Sequence, residues 1–204
     1  MVGEPAGAVA RRQRMRIARL ERCVAQWARD ASGVRGTGER GTAAVLRSLP
    51  ADEWVVLHDL RWPGRPFAAV EHVAVGPAGV FVIESRRWTG RVSVADDVLR
   101  VGGRPRGREL LSVREAAAAI ARRAHGVGPR HVTPVLCLAR SDASGRAGEV
   151  TVCPKAELVG FLTGQPAVLG ADEVRDVAED LRHLQIDPAA APVRRRVLLR
   201  AARS

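Results

Sequence analysis

A chain of 204 residues and 21.9 kDa has the length of one domain with room for a small appendage. Its 46% apolar and 27% charged residues exclude wholesale disorder and fibrous repeats. No stretch approaches the roughly 20 apolar residues that span a bilayer, and the basic N-terminus lacks the apolar run of a secretory signal, so the expected compartment is the cytoplasm. Cys23, Cys137 and Cys153 are widely spaced and odd in number, which fits reduced, buried thiols better than a zinc site or a disulfide framework.

The net charge of +11 is unevenly placed. Residues 1–47 carry ten arginines against four acids, and residues 194–204 carry five arginines and no acid. The span 48–193 holds eighteen basic and eighteen acidic residues, so the expected folded body is formally neutral. Lys155 is the only lysine beside 32 arginines, and Tyr and Asn are absent, a bias of the kind GC-rich coding produces. The expected organisation is a basic helical extension and linker at 1–35, a domain at 36–186 and a basic tail at 187–204.

From about Ala6 to Arg29, Val9, Ile17, Leu20, Val24 and Trp27 recur near helical spacing with arginines between them. This predicts a basic amphipathic helix that packs on the body or a partner; an arm that tracks DNA is the alternative. After the Gly33–Gly41 joint, Ala43, Leu46 and Leu49 mark a short helix over Glu39–Leu49 that ends at Pro50. Four strands are expected next, at Trp54–Asp59, Ala68–Val75, Gly79–Glu84 and Arg91–Ala95, separated by Pro63-Gly64, Gly76–Gly79 and Thr89-Gly90. His58 and Asp59 read as turn residues closing the first, and Val98–Gly102 can add an edge strand. Val80-Phe81-Val82-Ile83 is apolar on both alternating faces, as a central strand covered on both sides requires.

An alanine-rich helix at Arg108–His125, an apolar strand at Val132–Ala139, a small strand at Glu149–Cys153 and a helix at Pro154–Leu162 follow. In the last helix Val174, Val177, Leu181 and Leu184 form one apolar stripe, with Asp172 as its expected N-cap. The pattern is α/β, a mixed sheet flanked by helices. No G-x-G-x-x-G follows the first strand and no Walker loop occurs.

Glu71, Glu84 and Arg86 are the candidate site. Glu84 and Arg86 stand two apart at the end of the central strand, so strand periodicity points both to one face. A carboxylate there must be paired, solvated or holding a cation, because burying it alone is costly. Glu71, on the neighbouring strand, joins them if the register allows. Two carboxylates together form an oxygen-rich Mg²⁺ site; an ion pair to Arg86 at the strand end is the simpler reading. His72 should face the opposite side as a packing residue. Trp62 and Trp88 flank the proposed site and read as core or rim packing, with base stacking as the alternative.

Gly38-Glu39-Arg40 with Thr42 and Leu46, then Val55-Val56-Leu57-His58-Asp59, then the continuous block Val70-Glu71-His72-Val73-Ala74-Val75-Gly76-Pro77-Ala78-Gly79-Val80-Phe81-Val82-Ile83-Glu84-Ser85-Arg86 resemble the nuclease-related domain (NERD) of the PD-(D/E)XK nuclease superfamily over about residues 36–125. The resemblance implies a restriction-endonuclease-like fold and, in active relatives, metal-dependent hydrolysis of nucleic-acid phosphodiesters. It makes Glu39 the helix carboxylate turned toward the site, Glu71 and Glu84 the Mg²⁺ ligands, and Arg86 the occupant of the position of the family's lysine. Glu71 replaces an Asp, and the extra methylene moves a ligand by about an ångström, a displacement that can cost about 10²-fold in rate. Arg86 replaces the Lys and cannot act as a base near neutral pH. Val113 stands where some relatives carry a Gln.

The expected function is therefore a nuclease-related protein that binds nucleic acid, DNA before RNA, with a weakened Mg²⁺-dependent phosphodiesterase site. Arg87, Arg194, Arg195 and Arg196 are its expected phosphate contacts. The alternative is a non-catalytic module that meets a protein partner or a second copy through the N-terminal helix.

Overall fold

Four consecutive apolar residues in β3 (Gly79–Arg86) set the architecture, because every side chain from Gly79 to Ser85 is buried and both faces of the strand must be covered. The computed structural model describes residues 40–65 and 68–186. The expected helix over residues 6–29, Cys23, Glu39 and Arg194–Arg196 lie outside the described residues. Of the short helix expected over Glu39–Leu49, α1 spans Arg40–Leu46 and hydrogen-bonded turns carry the chain on to Leu49.

β1 (Val55–Arg61), β2 (Ala69–Gly76) and β3 form an antiparallel meander. β7 (Val132–Leu138) joins β3 in parallel, β9 (Val150–Pro154) joins β7 in parallel, and β8 (Gly145–Ala147) closes the edge antiparallel to β9. The result is a six-stranded mixed sheet in the order β1-β2-β3-β7-β9-β8, flanked by helices. One face packs Phe81, Ile83, Val135 and Cys137 against α1 and α3 (Leu158–Thr163). The other packs Val73, Val80 and Val82 under α2 (Gly107–Ala121) and α4 (Ala171–Arg182).

The β2–β3 hairpin decides the register. Gly76 pairs with Gly79 across Pro77-Ala78. A Cβ on Gly76 would lie 2.3 Å from the Trp54 ring, and Gly79, at φ +116°, would set one 2.6 Å from the His131 carbonyl oxygen, so neither position admits a side chain. With that turn closed, His72 pairs with Ile83 and Glu71 falls beside Glu84. A slip of one residue would turn Glu71 to the wrong face.

Several expectations need correction. The fourth expected strand, β4 (Val92–Ala95), lies outside the six-stranded mixed sheet. With β5 (Val98–Val101) and β6 (Arg104–Pro105) it builds a separate three-stranded sheet, turned at Asp96-Asp97, both at positive φ as a tight primed hairpin requires. His58 and Asp59 do not close β1: it continues to Arg61, with Asp59 held at φ 52° while the residues after α4 bond along that edge. α2 stops at Ala121, before His125. The expected helix from Pro154 starts as a 3-10 turn, Lys155–Glu157, and only then becomes α3. Gly170, not Asp172, caps α4: Glu173 accepts its N–H at 2.7 Å, while Asp172 is drawn to Arg175. β8 leaves no sequence signal, because Gly145-Arg146-Ala147 is too short to carry a period.

Candidate active site

Glu71, Glu84 and Arg86 meet at the C-terminal end of β3, on the face covered by α2. The parity of the two strands brings them there, as the sequence predicts. The Arg86 Nη2 donates to Glu84 Oε2 at 2.6 Å, and its Nη1 donates to the Ser85 carbonyl at 2.8 Å and to Glu71 Oε1 at 3.4 Å. Glu71 Oε2 accepts the Ser85 N–H at 2.7 Å. One guanidinium thus spans two carboxylates, and the Glu84 side chain is only 6% exposed. Burial by itself would lower the Arg86 pKa, but Glu84 and then Glu71 outweigh it and raise the value, so the guanidinium stays charged. The ion pair read as the simpler alternative is present, widened to a second carboxylate.

Oxygen donors of this kind suit Mg²⁺, and the two carboxylates face a common position. That position is held by the Arg86 guanidinium. Among the described residues no three His, Cys, Asp or Glu side chains gather as a metal-binding set. The pair therefore fits a metal ion only when Arg86 gives up its two carboxylates.

A second set of polar groups lies on the other face. Ser85, between Glu84 and Arg86, donates its hydroxyl to Thr42 Oγ1 of α1 at 2.9 Å, and Thr42 stands 3.6 Å from Cys137 Sγ. This ties α1 to the strand whose backbone N–H holds Glu71. Burial pushes the Cys137 thiol up to about 11 and Cys153 up to about 12, so both remain protonated thiols at neutral pH. Lys155 approaches α1 at Gly41, on this face.

His72 also points to this face, as expected, but its partner was not read from sequence. His58 stands directly across β1, and the two Nδ1 atoms are 2.8 Å apart, so one ring donates and the other accepts. His72 is 1% exposed and its Nε2 has no hydrogen-bond partner. Burial, then the nearby His58, lowers its pKa to about 3.

Trp62 is buried in the core with Arg65 stacked 4.6 Å above its ring, and Trp88 packs half-buried under Arg106. Both serve packing, as read. Val113 is fully buried on α2. Arg87 lies exposed beside Arg86.

A family model described as the nuclease-related domain matches residues 35–139, half of the chain. The chain belongs to the nuclease-related domain family. This family falls within the PD-(D/E)XK-like nuclease superfamily, and the mixed sheet flanked by helices agrees with a restriction-endonuclease-like fold. No curated protein and no solved structure matches the chain significantly. No described helix is long and apolar enough to cross a membrane.

Proposed function

We propose that this nuclease-related protein binds nucleic acid and carries a phosphodiesterase site weakened by its own Arg86. The observation that carries the reading is the single guanidinium bonded to both Glu84 and Glu71. In this reading Glu71 and Glu84 are the Mg²⁺ ligands, with Glu39 the remaining family carboxylate. A bound Mg²⁺ supplies Lewis-acid activation of a phosphodiester. Arg86 opposes it in two ways. It competes as a tethered cation for the same oxygens, and it cannot take a proton from an attacking water near neutral pH. What it retains is charge, which suits holding a phosphate and not cutting it. Arg87 and the terminal Arg194, Arg195 and Arg196 add phosphate contacts, which makes binding salt-dependent.

The test is Mg²⁺- and Mn²⁺-dependent degradation of plasmid and single-stranded DNA by the full chain, by Arg86→Lys and by Arg86→Lys with Glu84→Ala. The expected result is weak or no cutting by the intact chain, a gain with Arg86→Lys, and loss of that gain with Glu84→Ala. Vigorous cutting by the intact chain, or a gain with Arg86→Lys that the added Glu84→Ala leaves untouched, would overturn the reading.

A further inference from the structure

The far end of the sheet from Arg86 has a notch. β7 pairs with β3 from Val132 onward, but β9 meets β7 only from Val135, so the segment from Val132 to Pro134 runs past β9 with one edge uncovered. Pro134 suits such an edge because it has no N–H to leave unpaired. α2 passes beside it on Ala117, Ala118 and Ala121, side chains too small to fill the space, and a groove of about 430 Å³ remains.

Three arginines from three elements converge on this groove: Arg114 of α2, Arg130 of the 3-10 turn Pro129–His131, and Arg146 of β8. The only acid lining it is Glu149, 72% exposed and 3.7 Å from Arg114. Arg130 Nε donates to His131 Nε2 at 2.9 Å, which braces the guanidinium by its inner nitrogen and leaves both terminal nitrogens for a ligand. Among the described residues Arg130 and Arg146 form no salt bridge. Since residues 48–193 balance eighteen basic against eighteen acidic groups, this concentration is a segregation of charge and not the general surplus of the arms.

The groove is also continuous. A second groove of about 510 Å³, on the α3 face with Phe81 and Phe161 among its lining, shares Thr133, Arg146 and Thr151 with the first. The two meet at the notch. The second groove adds Glu157 and no further arginine, so the cationic part is the first groove with Arg146 at the junction. Two adjoining grooves edged by arginines suit a polymer backbone, and volumes of about 430 and 510 Å³ are those that hold a small ligand or a short single-stranded stretch and not a duplex. Guanidinia fit phosphate oxygens by paired hydrogen bonds, and threonine hydroxyls can add to them.

We propose that Arg114, Arg130 and Arg146 hold the phosphodiester backbone of a single nucleic-acid strand at this notch. The proposal rests on the nucleic-acid-binding reading above and assigns it a second surface. The notch and Arg86 lie toward opposite ends of β3: Val80, which faces α2 as Arg86 does, is six residues from it, about 20 Å at strand rise.

The full chain is titrated with fluorescein-labelled single-stranded and duplex 20-mers over a range of salt concentrations. The combined variant Arg114→Gln, Arg130→Gln and Arg146→Gln is compared with a charge-matched control, Arg47→Gln, Arg175→Gln and Arg182→Gln. Single-strand affinity should fall at least tenfold in the groove variant and little in the control. The slope of log affinity against log salt should drop by about 2, as loss of three phosphate contacts on a single strand requires. On the unsubstituted protein, bound oligonucleotide should shield these three arginines from phenylglyoxal, a readout that does not depend on the variant folding. Equal losses in groove variant and control, a loss confined to duplex, or no shielding would overturn the notch assignment while leaving nucleic-acid binding intact. No binding of either oligonucleotide by the full chain would overturn both.

Discussion

Glu71 and His72 are consecutive in β2, yet they face two differently organised layers. Glu71 turns toward α2, where one guanidinium donates to two carboxylates. His72 turns toward α1, and burial keeps it neutral against His58. The contrast shows that a buried ionisable group survives either by pairing or by neutralisation, and that the reversal of side chains along a strand can place both solutions one residue apart.

Breaking the charged side should have the largest effect. Arg86→Ala removes the cation shared by Glu71 and the almost wholly buried Glu84, and should cost about 3–5 kcal/mol in urea denaturation. Millimolar Mg²⁺ should recover part of that loss in Tm for the variant and do little for the unsubstituted chain, because only in the variant are the carboxylates open to bind it. A variant as stable as the parent and indifferent to Mg²⁺ would remove the view that Arg86 stands in for a metal.

The neutral side should reveal itself in the pH dependence of stability. With its folded pKa at about 3 against 6.5 when unfolded, His72 takes up a proton on unfolding throughout that interval. Its contribution is full above pH 6.5 and is lost as pH falls toward 3, with a slope of up to about 1.4 kcal/mol per pH unit. His58, also lowered by burial, adds in the same sense, with Asp59 opposing and Arg47 reinforcing its shift. Denaturation midpoints from pH 7.5 to 5 should fall steeply for the parent and less so for His72→Leu; parallel curves would contradict the assignment.

The smallest effect concerns the link between the layers. Ser85→Ala removes the hydrogen bond donated to Thr42 and with it this tie between α1 and β3, a loss of about 1 kcal/mol. The backbone N–H that holds Glu71 survives the change. Amide hydrogen exchange should therefore quicken in α1 more than in β2; uniform quickening would place Ser85 in general packing and not in this link.

Much of this was legible in one dimension. The apolar run of β3, the hairpin at Gly76–Gly79 and the stripe Val174, Val177, Leu181 all carry periods or turn residues that local physics reads directly. Parity alone placed Glu84 and Arg86 on one face. Weaker signals failed where a choice was not local. Val92–Ala95 has the pattern of a strand, but nothing in it states which sheet it joins, and Gly170 became the α4 cap because Glu173 could reach back to its N–H.

What the sequence determined by itself was the family, the central strands and the shared face of Glu84 and Arg86, since each depends on contiguous residues and the two-residue alternation of a strand. What only tertiary structure decided was which partners those residues found. His58 met His72 across β1 and β2, Thr42 reached Ser85 from a separate helix, and Arg114, Arg130 and Arg146 gathered from three elements. Such contacts depend on how elements pack against one another, a relation that no local spacing encodes.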